Sequence, residues 1–181
     1  KFASLDIKPI TNNSDNQSKK VLASISNANA YIKRSAIENA IKHSNTIDNI
    51  LSEAESYLGT PYRFGGTSRS GIDCSAFVLS VFGAAAGMNL PRVAAQQSKE
   101  GDSVEKAELQ KGDLVFFSHR GGRISHVGIV EEVTAEGEIK FIHAATSKGV
   151  MVSSLDDNYW GPKFKFAKRV IKENNFATLN N

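Results

Sequence analysis

The chain has 181 residues, a length that suits one ordinary domain with some additional chain. Hydrophobic residues make up 40% and can supply a core, while a net charge of +3 is too small and too scattered to indicate a nucleic-acid-binding protein. No run of about 18 apolar residues occurs, so the sequence predicts no transmembrane segment. Because the first residue is Lys1 rather than Met, we expect a preceding segment, either a removed signal peptide or chain outside this sequence.

The first 60 residues are predicted to contain an arm and two helices. Residues 1–17 are polar and rich in Asn and Ser, which favours a flexible arm. Apolar residues at near-helical spacing predict an amphipathic helix over 19–43, for which a packing appendage is favoured over a spacer or a pro-segment. A second helix is predicted over 46–58, with Leu58 on its apolar face and Gly59 and Pro61 ending it.

A third helix and a set of strands follow. Asp73 directly precedes an apolar, helically periodic stretch that closes at Gly87, so Asp73 is the predicted N-cap and Cys74 lies in the first turn. The second half of the chain predicts five short strands, over 114–117, 126–133, 138–144, 150–153 and 164–170. Helices followed by strands indicate an α+β domain. We assign it to 46–172, between an N-terminal part at 1–45 and a polar tail at 173–181.

Cys74 is the only cysteine, so it cannot form an intramolecular disulfide. A lone cysteine is often a buried apolar residue, and that alternative stays open here. However, the first turn of a helix presents unpaired N–H groups and the positive end of the dipole, which favour a thiolate and can accept an oxyanion. The sequence around Cys74 therefore predicts the nucleophile of an acyl-transfer reaction.

Four histidines are candidates for the base that such a thiol requires. His43 ends the first predicted helix, and His119 lies in a glycine-rich loop where a solvent-facing role is expected. His126 opens a predicted strand, and His143 lies in the next one. We interpret His126 as the base.

The register of these two strands can be predicted from a four-residue turn. If Val133 pairs with Glu138, then Gly128 faces His143, and His126 lies two residues further along on the same face. The two rings would then be diagonal neighbours, so that His143 can orient His126. A slip of one residue would put them on opposite faces, and His143 would then be an ordinary half-buried strand residue.

No cofactor or metal site is predicted. One cysteine and scattered histidines lack the paired spacings of zinc sites, and H-E-x-x-H is absent. The sequence also lacks G-x-S-x-G, Walker A and dinucleotide-binding motifs.

Six short blocks occur together in a characteristic order. They are Y-R-F-G-G at 62–66, G-I-D-C-S at 71–75, L-P-R at 90–92, K-G-D-L at 111–114, H-V-G-I at 126–129 and F-I-H-A at 141–144. With these blocks the chain resembles the NlpC-type cell-wall cysteine peptidases, a papain-like family of peptidoglycan hydrolases, over about 57–170. The resemblance implies a papain-like α+β fold over 46–172, in which a helix that begins at the cysteine packs on an antiparallel sheet. The predicted N-terminal helix is additional to that family fold. It implies that Cys74 is the nucleophile, His126 the base and His143 the third member of a triad.

The resemblance also implies roles for residues around the nucleophile. Tyr62 would border the active site and help to hold the oxyanion or the substrate. Asp73 and Ser75 contact a substrate amino group in some family members, although Asp73 could act here as a helix cap alone. Arg92 and Gln97 match the family pattern and are expected to have structural or groove-lining roles.

The function implied by the resemblance is a peptidoglycan endopeptidase acting on stem peptides or cross-links, most similar to small periplasmic lipoprotein-type enzymes. The bond, D-Ala–diaminopimelate or D-γ-Glu–diaminopimelate, stays open, as does the oligomeric state. We expect export to the periplasm or cell envelope, with lipoprotein anchoring left open. The alternatives are a papain-like amidase or acyltransferase on a non-murein amide or lipid, and a non-catalytic wall-binding module.

Overall fold

The structure, a computed structural model, describes residues 13–119 and 121–172. Residues 1–12 of the predicted arm and the predicted tail at 173–181 lie outside the described residues. The chain divides into two compact units, 1–40 and 41–181, and the predicted domain boundaries stay predictions. In the part of the chain that the structure describes, no helix is both long enough and apolar enough to cross a membrane.

Helix α1 is continuous from Asn13 to Glu55, so the prediction of two separate helices is wrong, as is that of an arm over 13–17. No glycine or proline interrupts this stretch. Thr46, where the second helix was predicted to start, donates its hydroxyl to the Lys42 carbonyl at 2.9 Å. This bond to the preceding turn is one that a threonine inside a helix forms. Before residue 41 the large apolar side chains are exposed, and they are Val21, Leu22, Ile25, Tyr31, Ile32 and Ile37.

The end of α1 belongs to the second unit and contributes to its core. Ile50 and Ala54 are fully buried there, and Tyr57 in the following turn is also buried. Leu58, predicted on the apolar face, is instead 50% exposed. The difference arises because α1 ends at Glu55, and tighter turns then lead the chain to Gly59, whose φ of +80° favours glycine.

The remaining α-helices and strands follow in chain order. They are β1 (Thr67–Ser68), β2 (Gly71–Ile72), α2 (Cys74–Ala86), α3 (Ala94–Gln97), β3 (Asp102–Val104), β4 (Leu114–Phe117), β5 (His126–Val133), β6 (Ile139–Ala145), β7 (Gly149–Ser154) and β8 (Phe164–Arg169). Strands β3 to β8 form one antiparallel sheet in the order β3-β8-β4-β5-β6-β7. All five predicted strands are confirmed, whereas β1, β2 and β3 were missed because they are too short to show periodicity.

Each face of the sheet carries a core, as alternation along the strands requires. On one face, Ile129 and Ile142 pack with α2 and the end of α1. On the other face, Phe117 and Phe141 pack with Trp160, which lies between β7 and β8. The predicted α+β fold, with a helix that begins at the cysteine and packs on an antiparallel sheet, is confirmed.

The hairpin formed by β5 and β6 differs from the prediction at its closed end. Val133 pairs with Ile139 rather than with Glu138, so the loop is one residue longer than predicted. A bulge between Val130 and Glu132 then adds one residue to β5 and compensates for the shift.

Beyond the bulge the predicted register is restored. Ile129 pairs with Ile142, which sets Gly128 opposite His143 as predicted. A Cβ atom added at Gly128 would lie 3.2 Å from the His143 Cβ and 2.7 Å from the Phe141 ring. Glycine is therefore required here by the close approach of the neighbouring strand.

We expect the substitution Gly128→Ala to destabilise the protein by about 1–3 kcal/mol, because the added methyl group must displace Phe141 or His143. Urea unfolding measures this free energy. Gly122→Ala is the matched control, since a Cβ at Gly122 would meet no atom within 4 Å. Equal stability of the two variants would contradict the close packing of β5 on β6.

Candidate active site

Cys74 is the first residue of α2, and its position is fixed by the cap of that helix. Asp73 has an extended backbone, and its Oδ1 accepts the Ala76 N–H at 2.8 Å, as predicted for an N-cap. The Cys74 side chain is buried and free of any disulfide. The main-chain N–H groups of Ser75 and of Val127, the residue after His126, lie close enough to the sulfur to lower the pKa of the thiol. The thiol therefore lies against the start of β5.

The environment of the thiol favours its protonated form. Burial raises the pKa of Cys74 to about 11, and the negative charge of Asp73 adds to the effect. The N–H groups of Val127 and Ser75 act in the opposite direction but do not outweigh burial. The N–H groups of the helix start favour the thiolate, as predicted, but burial outweighs them and the thiol is neutral at pH 7.

The two strand histidines form a hydrogen-bonded pair. Nε2 of His126 and Nδ1 of His143 are 2.9 Å apart, with the rings at 89° to each other. The predicted diagonal contact of the two rings is thus present. Because Nε2 of His126 faces His143, Nδ1 is the ring nitrogen of His126 that can serve a thiol.

Both histidines are neutral in the free protein because they are buried. Burial lowers the pKa of His126 well below its usual value, with His143 and His119 adding to the shift. Burial also lowers the pKa of His143 to about 3. A neutral imidazole retains the lone pair that a general base needs.

Aromatic rings surround the pair. The Trp160 ring stacks on His126 at a centroid distance of 4.9 Å and meets His143 edge-on at 4.6 Å. Phe141 lies 4.7 Å from His143, and Phe117 lies 5.8 Å from His126. These rings hold the imidazoles in place and exclude water from them. Trp160 was not predicted as a site residue, although it is the only tryptophan of the chain.

A charged cluster lies beside the nucleophile. Arg92 donates to both carboxylate oxygens of Asp73, at 2.6 and 2.9 Å, and to the Ser75 hydroxyl at 3.1 Å. Burial alone would raise the pKa of Asp73, but hydrogen bonds from Arg92, Ala76 and Gly65 outweigh it and lower the pKa. The Asp73 carboxylate is therefore ionised and already paired.

Gln97 secures the segment that carries Arg92. Its Nε2 donates to the Ser75 carbonyl at 2.9 Å and to the Pro91 carbonyl at 2.8 Å. The side chain is fully buried. Gln97 thus has the structural role expected for it, whereas Arg92 also lines the groove described next.

A groove of 740 Å³ opens over Cys74. Its walls include two arginines and several apolar or aromatic side chains, and the lining residues are Tyr62, Phe64, Gly65, Asp73, Cys74, Ser75, Arg92, Val93, Ala94, His119, Arg123, Ile124 and Ser125. Burial raises the pKa of Tyr62, so its phenol stays protonated and can donate a hydrogen bond. The structure therefore brings Tyr62, Asp73 and Ser75 together around Cys74.

His119 also lines this groove, which the sequence did not indicate. Its ring lies 6.2 Å from that of His126, and its Nδ1 is 3.0 Å from the Ser125 hydroxyl. The side chain is exposed, as predicted, but it faces the site. A glycine-rich loop has no periodicity from which this direction could have been inferred.

Within 13–119 and 121–172, no group of three or more His, Cys, Asp or Glu side chains could hold a metal ion.

The Asp73–Arg92 pair makes a pH-dependent contribution to stability. Because the folded pKa of Asp73 is lowered, this contribution is complete above about pH 4 and is lost as the pH falls through the lowered pKa. We expect Arg92→Gln to cost about 1 kcal/mol near pH 7 and progressively less below pH 4. Thermal unfolding between pH 2.5 and 7 measures the change. Arg123→Gln, which removes a groove arginine without an ion pair among the described residues, should have little effect. A pH-independent loss in Arg92→Gln would contradict the assignment.

The protonated state of Cys74 can be tested by alkylation. With a pKa of about 11, the rate constant for iodoacetamide should rise about tenfold per pH unit from pH 7 to pH 10 without a plateau. Asp73→Asn should increase the rate at each pH, because it removes a negative charge beside the sulfur. Cys74 is the single reactive thiol, so the signal is unambiguous. A plateau below pH 8 would show that the free protein holds a thiolate.

Residues 59–169 match the NlpC/P60 family. A Haemophilus influenzae protein named as a probable endopeptidase NlpC homolog is 41% identical over 122 residues, which cover 67% of this chain and 62% of that protein. The Escherichia coli K12 protein named murein DD-endopeptidase MepS/murein LD-carboxypeptidase is 37% identical over 134 residues, which cover 74% of this chain and 68% of that protein.

Solved structures agree with these matches. The crystal structure of an NlpC/P60 family protein from Bacillus cereus is 30% identical, with a TM-score of 0.62 over 70% of this chain and 40% of that chain. The match thus spans less than two thirds of the Haemophilus protein and of the Bacillus structure. Over the segment that carries the cysteine, both strand histidines and the groove, the chain belongs to the NlpC/P60 family.

Proposed function

We propose that this chain is a cysteine peptidase that hydrolyses amide bonds of peptidoglycan stem peptides or cross-links. Cys74 is the nucleophile, His126 the base and His143 the third member of the triad. One observation carries the assignment. A thiol at a helix N-terminus lies against the start of the strand whose first residue, His126, is hydrogen-bonded to a second buried histidine.

The reaction starts from neutral groups. As the Cys74 sulfur attacks the scissile carbonyl carbon, Nδ1 of His126 takes the thiol proton, so charge develops only in the transition state. The main-chain N–H groups in the first turn of α2 and the Tyr62 hydroxyl donate to the developing oxyanion. His126 then returns the proton to the leaving amine, and an acyl-thioester remains. A water molecule, deprotonated by His126, hydrolyses that thioester and restores the thiol.

His143 assists without carrying charge. Its pKa of about 3 keeps it neutral, so it orients His126 and accepts a hydrogen bond from the imidazolium. The Trp160 ring stacked on His126 restricts the same imidazole. The aromatic surroundings strengthen the hydrogen bond by excluding water from it.

The lining of the groove is suited to a peptide substrate that carries carboxylates. Stem peptides carry free carboxylates, and Arg92 and Arg123 both line the groove. Asp73 is paired with Arg92, so a substrate ammonium would have to displace that arginine. The bond cut is either D-Ala–diaminopimelate or D-γ-Glu–diaminopimelate, and the name of the Escherichia coli relative, murein DD-endopeptidase MepS/murein LD-carboxypeptidase, supports a murein peptide as the substrate. Action on this polymer requires export to the periplasm or cell envelope.

Digestion of purified peptidoglycan and defined muropeptides, followed by mass spectrometry, tests the proposal. The native chain should release products of one specific bond. Cys74→Ala should lower the rate by at least about 10³-fold, because no other group can form the thioester. His126→Ala should have a similar effect. His43→Ala, at a histidine outside the groove, should retain the native rate.

Melting temperatures of the variants separate loss of chemistry from loss of fold. If the folded native chain leaves every muropeptide intact, the peptidoglycan hydrolase assignment fails. Cleavage of another amide or acyl transfer to a lipid, abolished by Cys74→Ala, would instead identify a papain-like amidase or acyltransferase.

A further inference from the structure

We propose that Ser153 is a positioning residue for the triad, acting through His143 on the tautomer of His126. The Ser153 hydroxyl lies 3.0 Å from Nε2 of His143, on the side of the ring opposite His126. The three side chains thus form one hydrogen-bonded series behind the nucleophile. The proposal deepens the proposed function and rests on it for the role of His126 as base.

Strand register explains why Ser153 reaches this position. His143 pairs with Met151, and Phe141 pairs with Ser153, across the antiparallel β6–β7 pair. Residues two apart on a strand share a face, so Ser153 is the diagonal neighbour of His143 on the face that carries His126. The three adjacent strands β5, β6 and β7 therefore contribute one member each to this hydrogen-bonded series.

The positions of the protons in this hydrogen-bonded series show what the hydroxyl does. To accept the thiol proton on Nδ1, His126 must carry its own proton on Nε2 and donate it to Nδ1 of His143. His143 must then carry its proton on Nε2 and donate it to the Ser153 oxygen. In the reverse arrangement His126 would hold its proton on Nδ1 and could not act as the base. An oxygen acceptor at Ser153 supports the productive tautomer of both rings.

Among the described residues, the Ser153 hydroxyl is the one hydrogen-bond partner of Nε2 of His143. His143 is 0% exposed, and the Trp160 and Phe141 rings pack against it. Loss of the hydroxyl would leave a buried N–H of His143 without a partner, which is costly. Moving the His143 proton to Nδ1 removes that cost, but it forces the unproductive tautomer on His126.

Three variants test the proposal. Ser153→Ala removes the acceptor, and Ser153→Thr keeps a hydroxyl on a strand residue. Ser154→Ala is the matched control, because the Ser154 hydroxyl accepts the Asp156 main-chain N–H rather than contacting a histidine. Two-bond ¹H–¹⁵N spectra report the tautomer of each ring in a chain with four histidines. Assays on the cleaved muropeptide give kcat and KM.

We expect Nε2–H tautomers for His126 and His143 in the native chain. In Ser153→Ala, protons should move to Nδ1 of both rings, and kcat should fall about tenfold with KM unchanged. Ser153→Thr should restore the native spectrum and kcat, and Ser154→Ala should alter neither. Native tautomers in Ser153→Ala would overturn the proposal, even if kcat fell. The spectra can be recorded without turnover. If the protein cuts no muropeptide, the proposed function fails. A tautomer that depends on Ser153 would still support the positioning role in that case.

Discussion

The pairing of β5 with β6 is the constraint on which the site depends. It sets Gly128 against His143, and only a residue without a side chain allows the strands to approach as they do. The bulge after Val130 preserves this register although the hairpin closes one residue late. Without that extra residue, the alternation of the strand would turn His126 away from His143. A main-chain irregularity in β5 thus secures the contact between the two rings.

Burial then determines the chemistry. Cys74, His126 and His143 are all kept neutral by their surroundings, since burial opposes the charged form of each group. In the proposed mechanism, a neutral thiol and a neutral imidazole require proton transfer during attack rather than a preformed ion pair. Packing by Trp160 serves this arrangement, because it excludes the water that would otherwise compete for the imidazoles.

Local signals in the sequence were sufficient to predict the helix that carries Cys74 and the longer strands of the sheet. A cap, a C-terminal glycine and apolar periodicity each act over a few residues, and they lie close together in the chain. The continuity of α1 was missed because weak helix formers around His43 resemble a boundary when no tertiary contact is known. Trp160, His119 and Ser153 were missed for another reason. Each reaches the site through loop geometry or strand register, and no periodic pattern marks that contact.

The helix and the sheet have complementary roles that follow from the cap of α2. Asp73 caps the helix whose first N–H groups would bind the oxyanion in the proposed mechanism, but its charge also opposes ionisation of the adjacent thiol. Arg92 neutralises that carboxylate without removing it from the cap. The thiol nevertheless stays protonated, so the helix alone cannot activate it. In the proposed mechanism the base comes from another element, as His126 at the start of β5, and the next residue, Val127, lies beside the sulfur.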